Sequence, residues 1–344
     1  MTTPISNIEP LQPEHIPSNF IDRENTKEAL DNLLGENSSR NIHIQGPRGT
    51  GKTHLTISTL DQLSDDISTC YIDCRKHDTQ YKALKQILQQ LSNEQIQSGY
   101  HTSDLQRRLE EKTGAIHTVI VLDEIDFLLH NDGEDLLYHL SRTHTAETNI
   151  ITISSQLETV QKQIEERTFS SLQPYPLQTE PYTGEETYQI LRRRAQQALK
   201  PQTLHKEALT YIASITQNIR LALQWLKTSA QTTEKTIITE NHIQETQEKS
   251  RQQYTSQLFD HFTEHHHLLY QAIKELDTEQ TGIQAGDVYQ RYQQLTQSYN
   301  QNQLSNRRIS DYLKHLDYLD LIHADYHYGG KTGKTRTIDL YSET

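Results

Sequence analysis

The chain has 344 residues, which allows two or three domains with cores of their own and excludes a single small module. Only 33% of the residues are apolar, so cores must come from short patterned runs, and no run nears the roughly 18 residues that cross a bilayer. With 33 Lys and Arg against 46 Asp and Glu, the formal net charge of -13 repels nucleic acid and anionic membranes and leaves only local cationic clusters for nucleic-acid contact. A polar Met1–Pro10, unlike a secretory signal, completes the expectation of a cytoplasmic protein with no membrane partner.

From Asn41 onward, short β-type runs alternate with amphipathic helical stretches, the pattern of an α/β fold with a parallel sheet between helices. Strands are predicted over Asn41–Gln45, Ser68–Cys74, His117–Asp126, Asn149–Ser155 and Tyr175–Thr179. Helices are predicted from Gly51 and over Tyr81–Leu91, Ser103–Lys112 and Glu134–Arg142. Cys70 and Cys74, the only cysteines, lie on one predicted strand about 13 Å apart, beyond the roughly 7 Å that a disulfide spans, so they read as reduced core thiols. Pro174, Pro176 and Pro181 block helix continuation and close a first domain at 1–180.

Helical patterns over Glu185–Leu199, Lys206–Ser214, Asn218–Thr228 and Glu240–Gln253 then predict a small bundle, 181–254. The last region, 255–344, shows helices near His266–Leu276, Ala285–Gln297 and Ser305–Leu316, then two extended runs around Gly329–Gly333. Three helices followed by a β-hairpin is the winged-helix order. Ile309, Tyr312, Leu313, Leu316 and Leu319 repeat at helical spacing and bury one face of the third helix. The run His265-His266-His267 reads as a solvated helix start, because adjacent helical residues diverge around the axis and no Cys or acidic partner follows at ligand spacing.

Gly46-Pro47-Arg48-Gly49-Thr50-Gly51-Lys52-Thr53 fits the phosphate-binding loop, and it sits between a strand and a helix as that loop requires. Its glycines let backbone amides wrap phosphate oxygens, Lys52 brings a full charge to the β and γ phosphates, and the Thr53 hydroxyl is a magnesium ligand. His117–Glu124 supplies the partner element, an apolar strand ending in two carboxylates. Asp123 is expected in the magnesium shell, and Glu124 is expected to polarise a water for attack on the γ-phosphate. Ser154, Ser155 and Gln156 end the next strand, where a polar group meets the γ-phosphate or the water. Arg167, offered to a neighbouring subunit, and Arg220, from the bundle, are candidates for stabilising charge in the transition state.

In the C-terminal region Ser305 caps the third helix and leaves Asn306, Arg307 and Arg308 in its first turn, where cations oppose the helix dipole and call for an external anion. The hairpin adds Lys331, Lys334 and Arg336. Asp311, Asp317, Asp320 and Asp325 keep the region from being basic overall, so a winged helix used for protein contacts stays open as an alternative to DNA binding.

Taken together, these motifs resemble those of the archaeal replication initiators related to the origin recognition complex and the cell-division-control loader, a family of AAA+ ATPases. The likeness spans nearly the whole chain. It rests on Ile42–Gln45 leading into Gly46–Thr53, on Tyr71-Ile72-Asp73-Cys74-Arg75, and on Val121–Leu128 continuing into Asp135–Leu140. More particular are Leu304–Leu313, Gly329–Arg336 and Ile16-Pro17 with Asp22-Arg23-Glu24. The resemblance implies an AAA+ core, a helical lid and a winged helix that bind ATP or ADP with magnesium, grip double-stranded origin DNA at the nucleoid and help place the replicative helicase, with further copies or paralogues alongside. It makes Arg220, in Asn218-Ile219-Arg220, the lid's sensor arginine. Ser155 stands where the family usually has asparagine, Gln217 where glycine is expected, and Thr168–Ser171 departs from the basic pattern usual after the finger arginine. These departures imply slow, switch-like hydrolysis. An ATP-binding transcriptional or plasmid regulator that never acts at an origin remains the rival reading, and a clamp-loader-like subunit leaves the hairpin unexplained.

Overall fold

The computed structural model of the chain describes residues 3–17, 20–35, 40–93, 95–97, 99–114, 116–142, 148–155, 157–233, 237–277, 282–330 and 333–341, with side chains omitted at 326–330 and 333–335. The chain forms two compact units, Met1–Ser250 and Arg251–Thr344.

Strand β1 (Ile42–Gln45) follows helix α1 (Glu24–Leu34) and precedes α2 (Lys52–Leu60). Next come β2 (Ser68–Asp73), α3 (Gln80–Ser92), α4 (Thr102–Thr113), β3 (Thr118–Asp123), α5 (Ile125–Leu129) and α6 (Gly133–Arg142). The core closes with β4 (Thr148–Ser154), α7 (Leu157–Gln163), α8 (Glu166–Leu172) and β5 (Tyr175–Gln178). The sheet order is β2-β3-β4-β1-β5, and every pairing is parallel. Such a sheet is covered on both faces, and alternation along its strands sorts the core accordingly. Ile120, Leu122 and Ile150 pack with Leu84, Ile87, Leu105 and Leu137 on one face, whereas Val119, Val121, Ile151 and Ile153 pack with Leu30, Leu34 and Leu55 on the other. Register sets Gln45 level with Ser154 and Asp123 level with Ile153, so the carboxyl ends of β1, β4 and β3 meet at one edge. Cys70 and Cys74 are buried free thiols, as the strand spacing requires.

Two local expectations change. The third strand ends at Asp123 rather than Asp126, because Glu124 takes a left-handed turn at φ 54° and starts α5. The segments of α1, α7 and α8 carry helices that periodicity did not mark.

After β5 the chain folds into α9 (Gly184–Ala198), α10 (Lys206–Ile215), α11 (Ile219–Thr232) and α12 (Glu240–Leu258). Thr183 and Glu186 cap α9 reciprocally, each side chain bonding the other's backbone N–H, and Trp225 is fully buried within the bundle. The N-terminal stretch lies on this bundle: Ser6 and Asn7 N–H donate to Ala198 O, and the Arg194 guanidinium donates to Pro10 O and His15 O.

The second unit holds α13 (Glu264–Asp277), β6 (Ile283–Gln284), α14 (Ala285–Ser298), α15 (Asn306–Tyr318), β7 (Ile322–Gly330) and β8 (Gly333–Leu340). The strands make an antiparallel sheet ordered β6-β8-β7, and the short β6 went unread in the sequence. The histidine run is solvated only in part: His267 is exposed and His265 half-buried. His266 is 3% exposed, stacks on Tyr312 at 3.7 Å and meets His315 Nδ1 at 3.1 Å. His265 bonds the Tyr292 hydroxyl, and His267 packs on Phe259. The run lies where α13 meets α14 and α15, and aromatic partners there let the imidazoles pack. Among the described residues no cluster of metal-ligating side chains forms.

Candidate nucleotide site and DNA-facing elements

The loop between β1 and α2 is shaped by glycines that nothing larger can replace. Gly46 has φ 147° and Gly49 φ 77°; a Cβ at the first would collide with Thr179, and at the second with the Asn218 side chain. Asn218, which caps α11 by accepting from Arg220 N–H at 3.1 Å and Leu221 N–H at 3.2 Å, therefore sits directly on the loop. Thr50 Oγ1 donates to Pro47 O at 2.9 Å, and Lys52 Nζ donates to Gly46 O at 2.5 Å and Pro47 O at 2.9 Å. Arg23 is buried and clamps the loop from outside, with Nε on Thr50 O, Nη2 on Glu180 O, and its guanidinium carbon 4.0 Å over the Tyr182 ring.

Asp123 receives three donors. Thr53 Oγ1 and the Tyr71 hydroxyl each donate to Oδ2 at 2.6 Å, and Glu124 N–H donates to Oδ1 at 2.9 Å. Burial first, then the neighbouring Glu124, push its carboxyl above the ordinary value, against the lowering effect of the two hydroxyls. Burial and Asp123 push the Tyr71 phenol up as well, so it stays a proton donor. The hydroxyl and carboxylate oxygens of Thr53 and Asp123 are the hard donors that magnesium takes, and the glycine cradle suits phosphate, so the residues fit a magnesium nucleotide.

Arg48 is expected at the nucleotide, yet the structure pairs it with Glu124: Nη1 to Oε1 at 2.8 Å and Nη2 to Oε2 at 3.0 Å. At the end of β4, Ser154 Oγ bonds His43 Nε2 at 3.1 Å while Ser155 O accepts from Gly46 N–H at 3.1 Å, tying this strand end to the loop. His43, whose Nδ1 also meets Thr152 Oγ1 at 2.8 Å, is wholly buried, and burial pushes it down to about 4. Gln156 lies outside the described residues. Arg220 is half-buried at the start of α11; burial first, then Arg194 and, less strongly, Arg220 push the His54 imidazole on α2 below its ordinary value. Arg167 is on α8, exposed, bonded to Glu165 at 2.7 Å and beside the Tyr138 ring.

Tyr71, Arg23, His43 and Asn218 are contacts that reading along the sequence missed. Alternation does turn Tyr71 away from buried Cys70 and Ile72, toward the face that carries α2, but only the β2–β3 register puts it beside Asp123.

In the second unit Ser305 Oγ accepts from Arg308 N–H, and Asn306, Arg307 and Arg308 are all exposed in the first turn of α15. The hairpin differs from expectation. Arg336 is 8% exposed and donates to Ser310 Oγ at 3.0 Å, so it braces β8 against α15 rather than offering a free cation. Alternation along β8 turns Arg336, like Ile338, inward. Lys331 and the Lys334 side chain lie outside the described residues.

Comparison with known proteins matches an AAA domain over residues 36–160, a Cdc6 AAA+ ATPase-type lid domain over 188–248 and a CDC6 C-terminal winged helix domain over 257–344. The ORC1-type DNA replication protein 1 of Sulfurisphaera tokodaii is 29% identical over 356 residues, covering 97% of this chain and 89% of that protein. The ORC1-type DNA replication protein of Thermococcus onnurineus is 29% identical over 354 residues, covering 95% of this chain and 85% of that protein. Among solved structures, the Aeropyrum pernix ORC1 protein in complex with DNA superposes with a TM-score of 0.76 at 25% identity, over 99% of this chain and 95% of that one. Cdc6p from Pyrobaculum aerophilum, at 18% identity and TM-score 0.64 over 98% and 95%, shares the fold. The three domain matches follow the order of core, bundle and winged helix, and the relatives align along nearly the whole chain, so this chain has an AAA core, a Cdc6-type lid and a C-terminal winged helix and is similar throughout to the archaeal Orc1/Cdc6-type replication initiators.

Proposed function

We propose that this protein is an ATP-driven initiator that binds double-stranded origin DNA, acts there with further copies or paralogues, and helps load the replicative helicase, with its nucleotide state as the switch. The observation that carries the reading is the seating of Asn218 on Gly49, which joins the phosphate loop to the helix bearing Arg220 within one unit. A change at the loop is thereby a change at the lid, as a switch requires.

Lys52 and the loop amides bind the phosphates, and Thr53 and Asp123 hold magnesium, which supplies charge neutralisation between the phosphates when bound. Glu124 accepts a proton from the attacking water, Ser155 faces the same strand edge, and Arg220 reaches from the bundle as the sensor. Arg167, exposed on α8, serves a neighbouring copy. Hydrolysis is slow and switch-like, consistent with Ser155 in place of the asparagine usual in the family. Asn306, Arg307 and Arg308 meet DNA, joined by Lys331 and Lys334 from the hairpin, while Arg336 positions the hairpin. No described helix is long and apolar enough to cross a membrane, consistent with a protein that works on DNA in the cytoplasm.

Genome-wide footprinting of the protein in its own cell tests the reading. Occupancy concentrated where replication starts is expected. Occupancy confined to promoters, with none at replication start sites, would replace initiation with transcriptional or plasmid regulation.

A further inference from the structure

Glu124 is not free to turn. Its backbone sits in a left-handed turn, and its N–H is fixed on Asp123 Oδ1, so the carboxylate leaves β3 in a set direction. In that direction it meets both Nη atoms of Arg48, a fork geometry that engages both carboxylate oxygens at once. The pair is shielded, with the side chains of Arg48 and Glu124 only 10% and 21% exposed, so solvent screens it less than a surface pair. Arg75 is held by Asp73, with Nε to Oδ1 at 2.9 Å and Nη2 to Oδ2 at 2.8 Å, and Lys52 is turned to Gly46 O and Pro47 O.

We propose that Arg48 is the positioning residue of Glu124: it holds the carboxylate in an ion pair, and surrenders it only when a nucleoside triphosphate in the loop competes for the guanidinium. The inference rests on reading Gly46–Thr53 as the nucleotide loop and Glu124 as the base. Its physical basis is that Arg48 belongs to the phosphate loop itself, so the same guanidinium serves either Glu124 or a terminal phosphate. A fork committed to two carboxylate oxygens cannot embrace a second anion in the same way. ADP, lacking the γ-phosphate, leaves the pair intact, and the base is therefore released by the nucleotide that is to be hydrolysed.

Linkage makes this testable without turnover, because an interaction that must break on binding lowers affinity by its own strength. Binding of ADP and of a non-hydrolysable ATP analogue is measured by calorimetry for the parent protein, Glu124→Ala, Arg48→Met and the double variant. Glu124→Ala is expected to tighten the analogue about tenfold, as for a charge-assisted bond, and to change ADP less than about twofold. In the Arg48→Met background the same substitution is expected to change the analogue less than about twofold, and Arg48→Lys restores part of the coupling. ADP affinity reports whether each variant keeps its loop folded. Tightening that persists without Arg48 would show simple charge removal and overturn the proposal, as would no tightening when Arg48 is present. A parent protein that binds neither nucleotide would overturn the loop reading itself.

Discussion

Lys52 brings an ammonium to the phosphate loop, and in the structure it is drawn onto the loop carbonyls of Gly46 and Pro47. Replacing it with alanine removes a charge-assisted contact worth roughly 1.5–3 kcal/mol, so Lys52→Ala is expected to weaken ATP binding about 10- to 100-fold in isothermal titration. Unchanged affinity would remove the loop from the nucleotide site. Glu124→Gln keeps the size of the side chain but cannot take a proton from water, and steady-state assays are expected to show turnover lowered by about 100-fold or more while ATP still binds. Parental turnover in that variant would move the base elsewhere. Lys52, Thr53 and Asp123 were legible because their chemistry lies in contiguous motifs. Tyr71 was not, because its hydroxyl acquires meaning only when β2 and β3 pair with Asp73 opposite Asp123.

The first turn of α15 shows how an element turns patterning into an interface. Ile309, Leu313 and Leu316 are buried, which anchors the helix and leaves Asn306, Arg307 and Arg308 outward at an N-terminus whose dipole attracts anions. If Arg308 neutralises one phosphate, Arg308→Ala is expected to lower the slope of log affinity against log salt by about 0.9 on any duplex. If it reads a base edge, the loss is roughly 1–3 kcal/mol on the preferred site alone. Titrating origin and random duplexes at several salt concentrations separates the two, and parental behaviour at every salt would favour a protein-docking winged helix. Arg336 acts differently from its neighbours in sequence. Its bond to Ser310 joins hairpin and helix, so Arg336→Ala is expected to loosen β7 and β8, read as faster backbone hydrogen exchange there.

Across the whole molecule, pH acts through buried imidazoles. Burial, aided by His315 beside it, pushes His266 down to about 3. Below the unfolded value of 6.5 the unfolded chain binds a proton that the folded one refuses, so stability from this group is full above about 6.5 and falls as pH drops toward 3. The slope approaches ~1.4 kcal/mol per pH unit for the single proton. Asp317, pushed up to about 6 by burial, works in the opposite sense: its contribution is present at low pH and is lost as pH rises through 6. Since Asp317 titrates in both proteins, comparison of the parent with His266→Phe isolates the histidine. Hydrogen exchange over α13 and α15 at pH 5 and pH 7 is expected to show a smaller acid-induced loss of protection in the variant. An equal loss in both would assign the acid sensitivity to other groups.

The order of the five core strands, the four bundle helices, the phosphate loop, the Asp123-Glu124 strand end and the three-helix-and-hairpin pattern were determined by the sequence alone. Each depends on neighbours within a few residues, through period-2 or 3.6-residue alternation, proline breaks and glycine spacing. What only the tertiary structure decided are contacts between segments far apart in the chain. Arg48 reaches Glu124 across 76 positions, His43 reaches Ser154 across 111, and His266 is buried against His315 across 49. Local pattern reports which face a side chain occupies. Strand register and helix packing choose what it meets there, and that choice turned His266, in a run expected in solvent, into core and a hairpin arginine expected at DNA into a brace.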